Sequence, residues 1–401
     1  MCRWRYGVQG PLSQYREGLR ILLKHGRRMT PPSSLPRRDL ILIPLIGLVT
    51  VLVMLLAAEG VSRFLFAESG AETCSLPGGS FTGMKPNCVS HRKAAEGPDV
   101  ESAYNDCGYR SPDPCRPRPV DKIRVALMGT SSAQGFKVPY RDSFAARAAA
   151  WLDVHCTQQV EFQNMGIAGA SLLDVYRRID EALAMRPDLI VLVFGPYDLK
   201  ARLDRTQFAA RDEPPKPMPA GPASVPNKSL VARLSDLAAY SRALVVAQHF
   251  LFADRGTFVR LWLLHGEDAD FLREPLRPGW EARLADVDAL LGSMADRARA
   301  QGVPMMLALA PMRIQAALVS GDTPNADPFA IGERLRAIAD RHGVLFVDPL
   351  RRFAAEKSPE RMFYPVDGHM DAAGSAVFAD ALTQRLIQKD VTPFAACRGD
   401  G

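Results

Sequence analysis

Three residues of the chain are of the types that carry out nucleophilic acyl transfer. Ser131 lies in a turn of small residues (128–132, MGTSS) directly after an apolar stretch, and His369 follows Asp367 by two positions in a late loop. A serine hydroxyl becomes a nucleophile when a histidine takes its proton and a carboxylate orients the imidazole. A plain tight turn and a solvent-exposed histidine are the ordinary alternatives for the single residues, so the hypothesis depends on all three together.

The other histidines and the nearest other carboxylate form no such group. Asp371 directly precedes a predicted helix, where an aspartate most often serves as the N-cap. Six other histidines have no carboxylate and serine motif that would form such a group: His25, His91, His155, His249, His265 and His342. The catalytic hypothesis therefore uses His369 alone.

Residues 120–390 alternate apolar strands with amphipathic helices, which is the pattern of a parallel sheet covered on both faces. The predicted strands are 123–128, 160–164, 189–194, 305–310 and 344–347, and the predicted helices are 143–152, 172–185, 280–300, 328–342 and 372–387. The pattern predicts a three-layer α/β/α, doubly wound domain with a five-stranded, mostly parallel sheet of the flavodoxin-like type. Ligands of such sheets bind beyond the carboxyl ends of the strands, where the turn at Ser131 is expected to lie.

Residues 199–279 interrupt this alternation. The proline-rich part, 212–227 (DEPPKPMPAGPASVPN), can hold neither a regular helix nor a central strand and is predicted to be an insertion loop. The part that follows has apolar and aromatic residues at irregular helical spacing, and we expect helices beside the edge of the active site. A structural cap is favoured there over a substrate-binding lid.

An uncharged apolar run, residues 40–58 (LILIPLIGLVTVLVMLLAA), is long enough to cross the hydrocarbon core of a membrane as a helix. Residues 1–38 hold nine Lys or Arg and a single acid, Glu17. Because basic residues mark the cytoplasmic flank of a membrane helix, residues 1–39 are predicted to be a basic cytoplasmic arm. The chain is therefore expected to be a single-pass inner-membrane protein with its large domain in the periplasm or outside the cell.

A cleaved signal peptide is the alternative for this run. Its apolar core exceeds the roughly 7–15 residues usual for signal peptides, and residues 57–59 (AAE) are an imperfect cleavage site. Met29 precedes a more ordinary lead sequence, so the start codon, Met1 or Met29, stays open. The formal net charge of +6 comes from the arm and leaves the rest of the chain slightly negative, which argues against nucleic-acid binding.

Residues 59–119, rich in Cys, Pro and Gly, are predicted to form a loop-dominated stalk, and residues 391–401 a C-terminal tail. Six cysteines follow the apolar run, an even number that an oxidising compartment could pair. Among fifteen possible pairings we favour Cys74–Cys88, Cys107–Cys115 and Cys156–Cys397. Their spacing matches no zinc or redox motif, so neither a metal site nor a cofactor is predicted.

The order of these motifs resembles the SGNH (GDSL-type) hydrolase superfamily over about residues 105–390. The matching blocks are Gly-x-Ser after the first strand, 164–169 (NMGIAG), 195–198 (GPYD) after another strand, and 367–369 (DGH). Residues 107–111 (CGYRS) also look like a segment that precedes the first strand in membrane-anchored members. Each block is short, so the resemblance depends on their order and their strand-end placement.

The resemblance implies a nucleophile at Ser131, a general base at His369 and an orienting carboxylate at Asp367. It also implies an oxyanion hole formed by the backbone N–H groups of Ser131 and Gly169. A third donor is implied in the block 195–198, at the position of Tyr197, with Asp198 in a supporting role.

Three departures from the family pattern accompany this match. Tyr197 stands where the family has an asparagine donor, and a tyrosine hydroxyl reaches several ångströms further from the backbone. Thr130 stands where the serine motif usually has an aspartate. A carboxylate two residues before His369 resembles the polysaccharide O-acetyltransferase branch, which favours acylated glycans as substrates.

We therefore expect a membrane-anchored, envelope-facing serine esterase or O-acyltransferase that acts on acyl esters of a glycan or lipid. The alternative is a catalytically impaired relative that binds a glycan or scaffolds an envelope assembly, and Tyr197 is its main support. A phosphate-binding loop at 129–131 would lack the glycine spacing and the lysine of a P-loop. Hydrolysis and transfer use the same acyl-enzyme, so the sequence leaves them open, together with the acyl group and the oligomeric state.

Overall fold

The computed structural model describes residues 36–76, 83–200, 202–203, 241–319, 321, 323 and 325–397. The chain divides into two compact units, residues 1–58 and 59–401. Most of the basic arm and the proline-rich segment 212–227 lie outside the described residues, so the predictions made for them stay predictions.

Helix α1 (Arg37–Leu65) contains the predicted membrane span. Its apolar side chains face outward; Leu48 is 67% and Met54 is 66% exposed. Among the described helices it is the one that is long and apolar enough to cross a membrane. Apolar side chains in such a row are stable in lipid rather than in water, which indicates a single-pass anchor or a signal sequence.

A small antiparallel sheet precedes the main domain. Its strands are β1 (Ser69–Gly70), β2 (Val89–Lys93) and β3 (Asp99–Ala103). The sequence pattern predicts loops in this part, and it misses β2 and β3 because VSHRK and DVESA carry polar residues on both faces.

The main sheet has five parallel strands in the order β5-β4-β6-β7-β8. In chain order the strands are β4 (Lys122–Gly129), β5 (Gln159–Asn164), β6 (Leu189–Phe194), β7 (Met305–Leu309) and β8 (Leu345–Val347). This is the predicted flavodoxin-like doubly wound order, so the prediction is confirmed. The strand order reverses at β4, and the carboxyl ends of β4 and β6 lie side by side, where ligands of doubly wound sheets bind.

Helices cover both faces of this sheet. They are α2 (Ser131–Gln134), α3 (Phe144–His155), α4 (Leu172–Arg177), α5 (Ile179–Ala184), α6 (Arg242–Ala253), α7 (Arg255–Trp262), α8 (Pro278–Ala300), α9 (Arg313–Leu318), α10 (Ala330–Arg341), α11 (Leu350–Phe353) and α12 (Ala372–Leu386). Successive residues of β6 point to opposite faces: Leu192 packs in the cluster of Trp280, and Val191 in that of Phe378. Burial on both faces explains why β6 is apolar throughout.

The predicted helix 172–185 is two helices in the structure. The break occurs at Arg178, whose backbone leaves the helical region with ψ 7°. Its guanidinium donates to the carbonyl of Met165 and pairs with Glu181. Through these two contacts Arg178 attaches α4 and α5 to the loop that follows β5.

The structure contains the three disulfides favoured from the sequence: Cys74–Cys88, Cys107–Cys115 and Cys156–Cys397. The first two lie in residues 59–119. The third joins the end of α3 to the last turn of the described chain (Thr392–Cys397), where Phe394 is buried.

Candidate active site

Ser131 is the first residue of α2, directly after the end of β4. The turn depends on Gly129, which has a φ of 152°. A Cβ at this position would lie 2.2 Å from the carbonyl oxygen of Val193 in β6. Only glycine permits that approach, and the turn presents Ser131 at the carboxyl edge of the sheet.

His369 and Asp367 lie in the loop before α12, at the same edge. The Nε2 atom of His369 lies 2.7 Å from the Oγ atom of Ser131. Its Nδ1 atom lies 2.6 Å from the Oδ1 atom of Asp367. Asp371 instead accepts hydrogen bonds from the first turn of α12, which confirms the N-cap prediction.

This geometry suits the transfer of a proton from serine to histidine. When Nδ1 carries the proton and donates it to Asp367, Nε2 is left with the lone pair that can accept the Ser131 hydroxyl proton. The carboxylate then faces the positive charge that forms on the imidazole. The structure therefore brings together the three residues proposed from the sequence.

Lys137 is a further residue of the site that sequence reasoning missed. Its Nζ atom lies 2.6 Å from the Oδ2 atom of Asp367, and the lysine side chain is only 12% exposed. Burial alone would raise the pKa of Asp367, but the hydrogen bond and charge of His369 and the ion pair with Lys137 outweigh it. The net effect holds the pKa of Asp367 below its usual range.

Glu96 holds the backbone of the same loop. Its buried carboxylate accepts hydrogen bonds from the N–H groups of Val366 and Asp367. The Nδ1 atom of His249, from α6, lies 2.7 Å from the Oε1 atom of the same carboxylate. The small-sheet region and the insertion thus both support the loop that carries Asp367, as expected for helices placed beside the active-site edge.

The Phe136 ring packs against His369 from the loop after α2. The two ring centres are 5.2 Å apart, in an edge-on arrangement. The contact limits the rotation of the imidazole, and no sequence signal marked Phe136 for this position.

Gly169, the second proposed oxyanion donor, lies in a turn beside α2. The N–H of Ala170 donates to the carbonyl of Ile167, and Gly169 has a φ of 82°, a conformation that favours glycine. The turn is attached to α2 because the N–H of Ala168 donates to the side chain of Gln134 at 3.1 Å. This hydrogen bond attaches the turn that holds Gly169 to the helix that begins at Ser131, and the oxyanion role of Gly169 stays a prediction.

Tyr197 is not brought to the other site residues. It lies in a short 3-10 helix (Pro196–Leu199) after β6, and it is 64% exposed. The ammonium group of Lys200 lies 5.0 Å from its ring centre. The side chain points toward solvent, so in this conformation its hydroxyl does not supply the third oxyanion donor.

Asp198, by contrast, lies beneath the site. Its carboxylate accepts a hydrogen bond of 2.8 Å from the N–H of Gly195 and closes the turn after β6. Burial raises the pKa of Asp198, while the hydrogen bond from the N–H of Gly195 acts against that rise. Asp198 thus stabilises the turn after β6, and its supporting role in the site stays a prediction.

A sequence model of the GDSL-like lipase/acylhydrolase family matches residues 127–377, more than half of the chain. The chain belongs to this family. The match begins in β4 and ends in α12, so it contains the Ser131 turn and the His369 loop but not the small sheet or Glu96. A search of curated proteins finds no match.

Several solved structures are similar to this member of the family. A catalytic mutant of Axe2, an acetylxylan esterase from Geobacillus stearothermophilus, is 15% identical, with 68% of this chain and 96% of that chain covered and a TM-score of 0.36. The acetyl xylan esterase AlAXEase is 15% identical, covering 66% and 100%, with a TM-score of 0.38. LAE5, an alpha/beta hydrolase enzyme from the metagenome of Lake Arreo, Spain, is 14% identical, covering 70% and 98%, with a TM-score of 0.37.

Proposed function

We propose that this protein is a membrane-anchored serine ester hydrolase or O-acyltransferase that uses Ser131 as its nucleophile. The observation that best supports the proposal is the pair of short contacts that connects Ser131 through His369 to Asp367. This connection is one of the arrangements that activate a serine for acyl transfer.

In the proposed reaction His369 takes the proton of Ser131 as its oxygen attacks the acyl carbonyl. Asp367 stabilises the resulting imidazolium and keeps the ring in the required tautomer. Negative charge develops on the carbonyl oxygen, toward the N–H groups of Ser131 and Gly169. His369 then protonates the leaving alcohol, and an acyl-serine remains for attack by water or by a sugar hydroxyl.

We propose an acyl ester of an envelope glycan or lipid as the substrate. The apolar helix α1 and the three disulfides support a domain that works on the oxidising side of a membrane. A reporter enzyme that is active only in the periplasm, fused after Gly401, should be active. A silent periplasmic reporter together with an active cytoplasmic one would contradict this location.

Hydrolysis of p-nitrophenyl acetate by the purified domain tests the chemistry. Ser131→Ala and His369→Ala should each lower turnover by about 10³-fold or more, because each removes a member of one catalytic unit. Ser132→Ala is the matched control, since it deletes the neighbouring hydroxyl of the same helix and should keep most of the activity. Full activity in Ser131→Ala would contradict the proposal.

Transfer and hydrolysis are separated in the same assay by adding unacetylated glucose or glucuronic acid as acceptor. A transferase should consume the acyl donor faster in its presence and release an acetylated sugar that mass spectrometry detects. A hydrolase should release acetate at an unchanged rate.

A second candidate is a catalytically impaired, glycan-binding or scaffold protein. The solvent-directed side chain of Tyr197, at the position of a family oxyanion donor, favours it. Loss of one oxyanion donor typically costs about 10²–10³ in rate. Glycan binding in a wild-type domain that turns over no acyl donor would support this candidate.

A further inference from the structure

A cavity of about 340 Å³ lies between the small sheet and the loop that follows α2. One wall comes from residues 72–76, 83–84 and the strands β2 and β3. The opposite wall comes from residues 134–137 and 167–168. The first wall precedes residue 127, so it lies outside the segment that matches the family.

The alternation of the small sheet explains which side chains face this cavity. Ser90 pairs with Ser102, and Arg92 pairs with Val100, across β2 and β3. All four line the cavity. The residues between them in each strand, such as His91, lie on the outer face, because successive side chains of a strand point to opposite faces of the sheet.

The cavity shares residues with the catalytic site. Phe136 lines it, and the centre of its ring lies 5.2 Å from that of His369. The guanidinium carbon of Arg92 lies 5.2 Å from the same Phe136 ring. Lys137, which binds Asp367, also lines the cavity, so a ligand there would lie one side chain away from the catalytic histidine.

The charged residues that line the cavity are Arg92, Arg110, Glu72 and Lys137, and Lys137 is paired with Asp367. Arg110 is 1% exposed and donates to the backbone carbonyls of Gln134, Gly135 and Val138. Its buried Nε atom has no hydrogen-bond partner among the described residues. Arg92 lies on the sheet wall of the cavity. A buried guanidinium that is bonded only to carbonyls, through three of its five N–H groups, favours an anionic ligand.

The acids near this cavity are already engaged. Glu72 accepts hydrogen bonds from the hydroxyls of Ser90 and Tyr104 and from the N–H of Cys74. Glu68, whose charge acts on Arg92, is paired with Arg242. The charge of Glu72 acts on Arg110, but neither carboxylate makes a hydrogen bond or salt bridge with Arg92 or Arg110.

We propose that this cavity binds the sugar part of an anionic acylated glycan, with Arg92 and Arg110 facing an oxyanion of the sugar. The inference rests on the proposed function and names the substrate class of the same site. Serine hydroxyls match the hydroxyls of a sugar, and Phe136 and Val100 match its apolar face. A long acyl chain would instead bury the hydroxyl of Ser102 and the charge of Arg92 without giving either a partner.

The test compares three acetylated sugars that differ at one ring substituent: acetylated glucuronic acid, acetylated glucose phosphate and acetylated glucose. The wild-type domain should hydrolyse the better anionic ester with a kcat/KM about tenfold above that of the neutral one, the scale of a charge-assisted hydrogen bond. The preferred anion, carboxylate or phosphate, identifies the source of the oxyanion.

Arg92→Glu should abolish this preference, chiefly through a higher KM for the anionic ester, and Arg92→Lys should keep part of it. Lys357→Glu makes the same change of charge at an exposed position that does not line the cavity, and it should keep the preference. Equal kcat/KM values for all three esters in the wild type, or an unchanged preference in Arg92→Glu, would overturn the inference.

Hydrolysis of p-nitrophenyl acetate distinguishes the failure of the inference from the failure of the proposed function. If the wild type turns over no ester, the proposed function fails, and calorimetry with unacetylated glucuronate and glucose phosphate then decides about the cavity. Binding of either anion that weakens at least tenfold in Arg92→Glu supports the inference. Equal binding in both proteins, or no binding of either anion to the wild type, contradicts it.

Discussion

Replacement of Lys137 by methionine should change the pH dependence of the reaction. The Lys137 ammonium group and the His369 imidazole contact opposite oxygens of Asp367, each at 2.6 Å. A positive charge so close disfavours the imidazolium that forms when the catalytic unit takes up a proton. Without that charge the unit should take up its inactivating proton at a higher pH, so the acid limb of the kcat/KM profile should move upward.

The size of the shift follows from Coulomb's law. With ~7 Å between the two charges, and an effective dielectric constant between ~20 and ~80, the interaction is about 0.6–2.4 kcal/mol, or roughly one pH unit. The Lys137 side chain is only 12% exposed, which places the expected shift toward the upper half of this range.

Initial rates with p-nitrophenyl acetate, measured as a function of pH on wild type and variant, report the shift. Lys122→Met is the matched control: it deletes a lysine paired with Asp113 at 2.9 Å, at the opposite end of β4 from Ser131. Lys137→Gly should show the same shift as Lys137→Met, because glycine suits the left-handed backbone at this position, where φ is 64°. An acid limb that stays in place in both Lys137 variants, or that moves equally in Lys122→Met, would refute this reasoning.

Four further predictions address the supporting residues. Glu96→Gln should lower kcat about tenfold with little change in KM, because it weakens the hydrogen bonds that hold the Asp367 loop; an unchanged kcat in steady-state kinetics would contradict this role. Tyr197→Phe and Tyr197→Asn should each change turnover less than about twofold, because the side chain at this position points to solvent; a tenfold loss in Tyr197→Phe would support the oxyanion role instead. The depressed pKa of Asp367 means that its charge stabilises the fold above the unfolded-state pKa of about 3.9 and that this stabilisation is lost as the pH falls toward the folded-state value; the difference in urea-unfolding free energy between wild type and Asp367→Asn should therefore shrink below about pH 4. Replacing both Cys156 and Cys397 by serine should lower the free energy of unfolding by about 3–5 kcal/mol, and an unchanged urea midpoint would show that this bond does not form.

The elements that the sequence predicts well are those whose burial leaves a periodic signal. β6, buried on both faces, is a continuous apolar run and was predicted with its observed bounds. Helices α8 and α12 also follow their apolar periodicity closely. The small sheet left no such signal, because only one of its faces meets the rest of the protein and that face carries serines and an arginine.

The sequence predicts the catalytic residues, but it does not predict the residues that surround and support them. Ser131 and His369 stand in recognisable motifs at strand and loop ends. Lys137 and Glu96 do not: they meet the Asp367 loop across 230 and 271 residues of chain, and neither belongs to a local motif. The orientation of Tyr197 depends on how the short helix after β6 turns outward, which its residue type does not determine.

The most direct measurement of the central claim is the reaction of the purified wild-type domain with a fluorophosphonate, followed by peptide mass spectrometry. Such probes form a stable bond with a serine that a neighbouring base has activated. The proposal predicts one phosphonylated residue, Ser131, with no adduct in Ser131→Ala and a greatly slowed reaction in His369→Ala. A wild-type domain that stays unlabelled, or a Ser131→Ala variant that is labelled as fast as wild type, would contradict it.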